Sequence, residues 1–491
     1  MIPNLSKSRI QSGRQCQKRL WLELHQPKDS NWTFSAQARM DEGTDFGVLA
    51  QELLGGGFLV AADYRHVNEA LAETADLLTR PIDEVPMIFE PAFSHEGVRV
   101  RVDAYQRHID GDTLIEVKST GGVKAEHIWD CAIQTWVARG SGRKVTRVML
   151  GHADTSFFYT SEGDYQGLLK LADITAEVEA IIAKIPAIVH ELQAVAIGEK
   201  PAISIGAHCT TPYGCPFIDY CSIGEPAPAE FPVNLLPRGG ALIDRLIEAG
   251  YADLRDVPST ELKSEIHIRV AEVTRTGETF ISPELNDLLE AIPYPRYYLD
   301  FETISFIVPR WLGTRSFQQV PFQYSCHIES KAGEIEHREF LDVSGNSPML
   351  GFIEQLIRDV GTTGAIVVWN QGFEASRLGD LASMYPKYAK KLSVIINRMV
   401  DLLPMYRNHY YHREMRGSWS IKNVLPTVAP DLDYSNLEVS GGMAAQEAYK
   451  EILSSQTSAK EMKAIEKALL AYCERDTLAM VALTKQFITT A

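Results

Sequence analysis

The chain has 491 residues, 45% hydrophobic and 23% charged, with a formal net charge of −16. That length is too great for one ordinary core and predicts two or three domains. The acidic balance excludes a protein that coats nucleic acid through its overall charge, and no apolar run is long enough to span a bilayer. The amino terminus, Met1-Ile2-Pro3-Asn4, lacks a basic and then apolar signal pattern, so a cytoplasmic location is expected. In that compartment the seven cysteines are ligands or core residues rather than disulfides.

Residues 5–20, LSKSRIQSGRQCQKRL, form a basic segment around Cys16. Residues 42–57 place Phe46, Leu49 and Leu53 at helical spacing, with Glu52 on the same helix and glycines to end it. Residues 87–105 alternate apolar and polar up to Asp103. After the turn Asp110-Gly111-Asp112 comes Leu114-Ile115-Glu116-Val117-Lys118, which predicts a β-hairpin. Glu116 and Lys118 share one face of their strand. Two acids and a lysine at adjoining strand ends suit a divalent ion and an attacking hydroxide. The next helix contains Trp129, Asp130 and Gln134.

This D-x(12)-E-V-K arrangement resembles the PD-(D/E)XK nuclease core, and most closely the RecB and CRISPR-associated exonuclease branch. The resemblance implies that Asp103 and Glu116 hold a metal ion, that Lys118 stabilises the nucleophile or the developing charge, and that Gln134 supports the site. Two features depart from the pattern. Ala138 stands where an aromatic residue is expected, and the upstream metal-ligand His is missing, with Gln51 and Glu52 nearest its place. Glu52 is the substitute ligand expected there.

His208 to Cys221 is a Gly- and Pro-containing loop with Cys209, Cys215 and Cys221 at C-x5-C-x5-C spacing. A zinc site would more often show C-x2-C pairs. Three clustered thiolates and one remote thiolate suit a [4Fe-4S] cluster, with Cys16 as the remote ligand; zinc and unrelated core cysteines are the alternatives. The same arrangement staples the domain in the iron–sulfur RecB-like nucleases that this segment resembles. Cys131, Cys326 and Cys473 have apolar or mixed surroundings and read as buried thiols.

Residues 225–237, EPAPAEFPVNLLP, read as a linker, and short helical patterns up to residue 292 read as a small connector. Tyr297 to Thr303 then reads as a buried strand on which Asp300 and Glu302 project to one face. Like charges buried side by side require a cation between them, and this pair is a hard oxygen site of the kind Mg²⁺ or Mn²⁺ prefers. FQYSCHIES and Glu336–Leu341 predict antiparallel strands, Pro348–Val360 a helix, and Ala365–Asn370 a buried strand leading into a helix that opens near Glu374. Residues 462–485 form a long amphipathic helix with Tyr472 and Asp476 on one face.

Asp300/Glu302, the Asn370–Glu374 stretch and Tyr472-x3-Asp476 together resemble the DnaQ-like exonucleases of the RNase H fold, of the type whose last motif is Y-x3-D. Glu374 stands where that family usually has Asp, and Trp419–Leu425 is similar to its S-L-K-x-V segment. The resemblance implies that Asp300, Glu302, Glu374 and Asp476 bind two Mg²⁺ or Mn²⁺ ions about 4 Å apart, with Tyr472 orienting or deprotonating water. It implies release of 5′-nucleotides from a 3′ end. Nearly the whole chain resembles an uncharacterised bacterial family that fuses the two nuclease types.

The expected architecture is therefore α/β and multi-domain. Residues 1–224 form a PD-(D/E)XK, restriction-endonuclease-like core with an iron–sulfur staple. Residues 225–292 form a linker and helical connector, and residues 293–491 an RNase H-like mixed sheet with flanking helices. The expected function is a metal-dependent nuclease with two sites, acting on DNA ends or single strands in repair or in defence against foreign DNA. The alternatives are RNA 3′-end processing, and a nucleic-acid-binding iron–sulfur protein with one live site. Nucleic acid is the expected partner, a helicase or another repair or defence protein is left open, and no membrane is involved.

Overall fold

The structure is a computed structural model and describes residues 4–30, 34–63, 65–224, 227, 229–432 and 434–488. Residues 1–3, on which the reading of the amino terminus partly rests, and residues 225, 226 and 228 of the Pro-rich stretch lie outside the described residues. The protein is mixed α/β with several sheets and divides into two compact units. The first comprises Met1–Pro226 together with Phe306–Phe317, and the second Ala227–Ser305 together with Gln318–Ala491. Among the described residues no single helix is long and apolar enough to cross a membrane.

In the first unit a six-stranded sheet has the order Phe58–Leu59, Met87–Phe89, Ala104–Gln106, Asp112–Lys118, Val145–Ala153, Leu169–Asp173. The predicted hairpin is present: Ala104 pairs with Ile115 and Gln106 with Thr113, antiparallel, around the Asp110-Gly111 turn. Stepping that register back by one residue sets Asp103 across from Glu116. Asp112–Lys118 then pairs in parallel with Val145–Ala153. A parallel pair needs a crossover, and the helix Ala125–Gly140 supplies it. Its buried Cys131, Ile133 and Val137 pack with Leu114, Val148 and Leu150 of the strands, so the middle of the strand Asp112–Lys118, from Thr113 to Glu116, is buried. Before Asp103, Val98–Arg101 pairs instead with Leu5–Ser6 and Ala92–His95 in a separate three-stranded sheet. The chain therefore changes sheets at Asp103.

Phe306–Phe317 is an excursion between two strands of the second unit. Tyr159 N–H donates to the Thr314 carbonyl at 3.0 Å, Gly313 N–H donates to the Tyr159 carbonyl at 2.8 Å, and Ile307 is buried with Phe46, Ala153 and Leu168.

In the second unit a five-stranded sheet has the order Ile335–Leu341, Val320–Glu329, Arg296–Ile304, Ala365–Val368, Met399–Asp401. The first three strands are antiparallel, and the last two run parallel to Arg296–Ile304. The strand predicted at 297–303 spans Arg296–Ile304, and the helix predicted at 462–485 spans Ala459–Phe487. A capping box at Ser458 and Glu461 starts that helix. The two faces of the central strand are covered differently. Phe301 meets Phe352 of the helix Met349–Asp359, with ring centroids 5.0 Å apart. On the other face Gln323 Nε2 donates to the Leu469 carbonyl of the long helix at 2.8 Å. The connector contains the short helices Ala241–Glu248, Glu265–Thr276 and Glu284–Glu290.

Candidate metal centres

In the second unit Asp300 and Glu302 emerge from the central strand next to a β-bulge between Glu302 and Thr303, a device that re-aims side chains beside sites. Asp476 reaches the same point from the long helix. One carboxylate oxygen from each of Asp300, Glu302 and Asp476 lies within 4.8 Å of the others. Glu374 sits in the first turn of the helix Gln371–Met384, which follows the strand Ala365–Val368. Because that strand is parallel to the central one, both deliver their acids at carboxyl-terminal strand ends, where α/β sheets commonly place ligand sites.

Burial disfavours the ionisation of these groups. Burial, then the charges of Asp476, Glu302 and Glu374, push Asp300 far above the usual carboxylate range. Burial and Asp476 push Glu302 up to about 8, with Lys422 opposing. Burial, reinforced by Asp401, pushes Glu374 up to about 8, and Glu374 Oε2 is buried with no hydrogen-bond partner among the described residues. Asp476 is also raised, chiefly by burial, although Tyr434, Lys422 and Tyr472 all work against the shift. Tyr434 Oη donates to Asp476 Oδ1 at 2.5 Å. The Tyr472 phenol is pushed far up by burial and by Asp476, Glu302 and Asp300, so it is protonated while the site is metal-free. Lys422 Nζ lies 4.7 Å from the centre of the Tyr472 ring and 5.1 Å from that of Tyr434.

In the first unit the register places Asp103 and Glu116 together, and the surrounding chemistry is different. Glu116 Oε1 accepts from Lys7 Nζ at 2.5 Å and lies 2.7 Å from Lys118 Nζ, while its Oε2 accepts from Gln134 Nε2 at 2.7 Å. Lys118 also pairs with Asp130 Oδ2 at 2.8 Å. Burial would raise Glu116, but the ammonium groups of Lys118 and Lys7 outweigh it and hold the carboxyl well below the usual range. Burial and the Glu116 charge push Asp103 up to about 7, even though Asp103 Oδ2 accepts from Val117 N–H at 2.6 Å. A cavity of about 470 Å³ opens over this site, lined among others by Lys7, Gln51, Glu90, Asp103, Glu116 and Lys118.

Glu52 is a correction. It is exposed and does not line the cavity; its neighbour Gln51 does. On a helix, adjacent residues point about 100° apart, so the one-residue choice decides which side chain faces the site. Glu90 is the acid that sequence reasoning missed. It sits at φ 56 beside the Asp103 turn, where its N–H donates to the Asp103 carbonyl, and Arg101 Nε donates to its Oε2 at 3.1 Å. Only its unusual backbone conformation, invisible in the sequence, turns it toward the cavity. Lys7 was also missed, because it opens the helix Lys7–Gln15 just after the strand Leu5–Ser6, far in sequence from Glu116.

Cys16, Cys209, Cys215 and Cys221 line one cavity and are all free thiols. Cys16 joins the helices Lys7–Gln15 and Gln17–His25. Gln15 Nε2 donates to the carbonyls of His208 at 2.7 Å and Tyr213 at 2.6 Å, and Lys18 Nζ donates to that of Ile203 at 3.1 Å, which ties the amino-terminal helices to the cysteine loop. Burial raises Cys215 and Cys221, and the charges of Cys16 and Cys209 add to both shifts. No three of these sulfurs lie within 4.8 Å of one another. Cys131, Cys326 and Cys473 are buried, as expected.

Residues 297–420 match a domain of unknown function, DUF2779. That segment holds Asp300, Glu302 and Glu374 and ends before Tyr472 and Asp476. The chain is 26% identical over 221 residues to an uncharacterized protein of Ureaplasma parvum, covering 40% of this chain and 32% of the relative. It is 25% identical over 210 residues to an uncharacterized protein of Mycoplasma genitalium, covering 38% of this chain and 31% of the relative. The chain thus spans about a third of the length of these curated relatives.

Proposed function

We propose that the protein is a metal-dependent nuclease that hydrolyses phosphodiester bonds at nucleic-acid 3′ ends through its second unit. The observation that carries this reading is the convergence of Asp300, Glu302 and Asp476, half-buried to buried, with their ionisation suppressed chiefly by burial and, at Asp300 and Glu302, also by neighbouring carboxylates. Together with the partnerless Glu374 Oε2, this donor set suits hard divalent ions such as Mg²⁺ or Mn²⁺. The strand order, three antiparallel strands continued by two parallel ones, supports an RNase H-like assignment.

Asp300, Glu302, Glu374 and Asp476 would hold two such ions. When bound, they would supply Lewis-acid stabilisation of a phosphoryl oxygen and a more acidic water. Tyr472, on the same helix face as Asp476, would orient or deprotonate the attacking water through its hydroxyl. Lys422, beside the Tyr472 ring, offers a cation toward the substrate phosphate.

For the first unit, the hairpin, the crossover helix and the Asp103, Glu116, Lys118 and Gln134 cluster support a PD-(D/E)XK-like site. A second reading, in which only the second unit is live, is favoured by one observation: Lys7 and Lys118 already neutralise Glu116 from within.

We propose a [4Fe-4S] cluster for the four cysteines. What supports it is that the three loop cysteines and the remote Cys16 line one cavity, a three-plus-one thiolate set that suits such a cluster, with zinc as the alternative. Anaerobically prepared protein is expected to be brown and to contain iron and sulfide, and Cys16→Ala to lose both. Colourless protein with stoichiometric zinc would refute the cluster.

The nuclease reading is tested with full-length protein on end-labelled single- and double-stranded DNA and RNA, with Mg²⁺ or Mn²⁺, comparing wild type, Lys118→Ala and Asp300→Ala. Shortening from the 3′ end that Asp300→Ala abolishes is the expected result. Faster trimming of RNA than of matched DNA would select the RNA-processing alternative. No cleavage of any substrate by wild type would overturn the reading.

A further inference from the structure

The sheet face that carries Asp300 continues into a second cluster of different chemistry. Ser325 is the cross-strand partner of Asp300, and two residues along the same strand His327 pairs with His337 of the edge strand Ile335–Leu341. The two imidazoles lie with ring centroids 4.5 Å apart. Glu474, on the long helix between Tyr472 and Asp476, completes the group. One ligand atom from each of His327, His337 and Glu474 lies within 4.8 Å of the others.

Hydroxyls hold one nitrogen of each ring. Thr477 Oγ1 lies 3.0 Å from the Glu474 carbonyl, 2.8 Å from His327 Nδ1 and 2.7 Å from Ser325 Oγ, and Ser325 Oγ lies 2.9 Å from His337 Nε2. With the Thr477 hydrogen on the carbonyl, this network is satisfied by protons on His327 Nδ1 and His337 Nε2, which leaves Nε2 of His327 and Nδ1 of His337 with lone pairs. His337 Nδ1 is 4.0 Å from Glu474 Oε1, too far for a hydrogen bond. Burial and the neighbouring His337 hold His327 down to about 4, so it stays neutral.

Two imidazole lone pairs and a carboxylate facing one another, each imidazole oriented by a hydroxyl on its other nitrogen, form the donor set and supporting shell of a transition-metal site. We propose that His327, His337 and Glu474 bind a zinc-class divalent ion, distinct from the ions of the all-oxygen cluster. Nitrogen donors discriminate against Mg²⁺, so the two sites separate by ligand chemistry. Glu474 is about half exposed, which leaves a solvent path and an open fourth position. The ion would cross-link two strands of the sheet to the helix that bears Tyr472 and Asp476, and so fix their position over Asp300. The assignment does not depend on hydrolysis by the carboxylate cluster.

The test uses full-length Asp300→Asn protein, in which the all-oxygen cluster is impaired, titrated with Co²⁺ and then Zn²⁺ in excess Mg²⁺. Ions held by the cysteines are marked by thiolate-to-cobalt charge-transfer absorption. An ion bound by nitrogen and oxygen shows only weak visible bands. One ion of the second kind per chain is expected, displaced by Zn²⁺. Adding His337→Gln, a partly exposed edge-strand position, should abolish it. Adding Ser325→Ala, which removes only the support of His337, should weaken it by roughly 10–100-fold. The proposal is overturned if Asp300→Asn binds no such ion, or if binding is unchanged by His337→Gln.

Discussion

The protein places two acidic clusters at strand ends and neutralises them in opposite ways. In the first unit Glu116 has two ammonium groups, Lys7 and Lys118, within 2.7 Å, and an amide on its other oxygen. In the second unit Asp300, Glu302, Glu374 and Asp476 face one another with Lys422 as the cation whose charge reaches Glu302 and Asp476, and their ionisation is suppressed. A buried carboxylate must be paired, protonated or bound to a metal. The first cluster is paired by its own chain. The second lacks such pairing and, chiefly through burial, favours the protonated forms of its acids. A divalent ion entering the first site competes with lysines, whereas one entering the second competes with protons.

That contrast orders the expected effects. The largest is Asp300→Ala, which should reduce 3′-end hydrolysis to background and remove Mn²⁺-induced thermal stabilisation of the second unit, read by calorimetry of the full chain. Lys118→Ala should silence the first site alone and leave 3′-end trimming intact. Loss of both activities from this change would mean that the two sites are not independent. Tyr472→Phe deletes a hydroxyl and no ligand. It should slow hydrolysis by on the order of 10²–10⁴ while keeping the Mn²⁺ stabilisation, which separates orientation from metal binding.

The smallest effect is on the pH dependence of stability without metal. Glu302 and Glu374 have folded values of about 8, above their unfolded value of roughly 4.3, so between those limits the folded state binds more protons than the unfolded state. Stability of the second unit should therefore fall as pH rises from about 4 to 8. Asp103, at about 7, acts in the same direction in the first unit, and Glu116, with its lowered value, acts in the opposite one. Its contribution is present above about pH 4.3 and is lost on acidification. The first unit should therefore show the shallower neutral-pH slope. Denaturant melts at a series of pH values in EDTA, followed by probes local to each unit, would measure both slopes.

The elements with strong periodicity were legible in the sequence. The strand Arg296–Ile304 and the helix Ala459–Phe487 follow from uninterrupted apolar patterns, and the hairpin follows from its Asp-Gly turn. Their acids were legible because strand and helix periods assign faces. What was hidden depends on non-local geometry. Lys7 reaches Glu116 because Leu5–Ser6 pairs with Val98–Arg101, a contact between segments more than 90 residues apart that leaves no local signal. Tyr434 meets Asp476 from an irregular stretch, and Glu90 faces its cavity through a positive φ. Glu52 was misplaced because helical spacing limits which face a residue takes only to within its neighbours. The His327 and His337 pair was hidden because it depends on strand register, which puts them opposite each other across ten residues of sequence.

The central claim is that the second cluster stores protons that divalent ions displace. Isothermal titration of Mn²⁺ into full-length Lys118→Ala protein at neutral pH, repeated in buffers of different ionisation enthalpy, tests it most directly, because metal ligands must be deprotonated to bind. The account predicts Mn²⁺ binding with net proton release, and loss of both the binding and the release when Asp300→Ala is added. Mn²⁺ binding that releases no protons, or that is as tight with Asp300→Ala as without it, would contradict it.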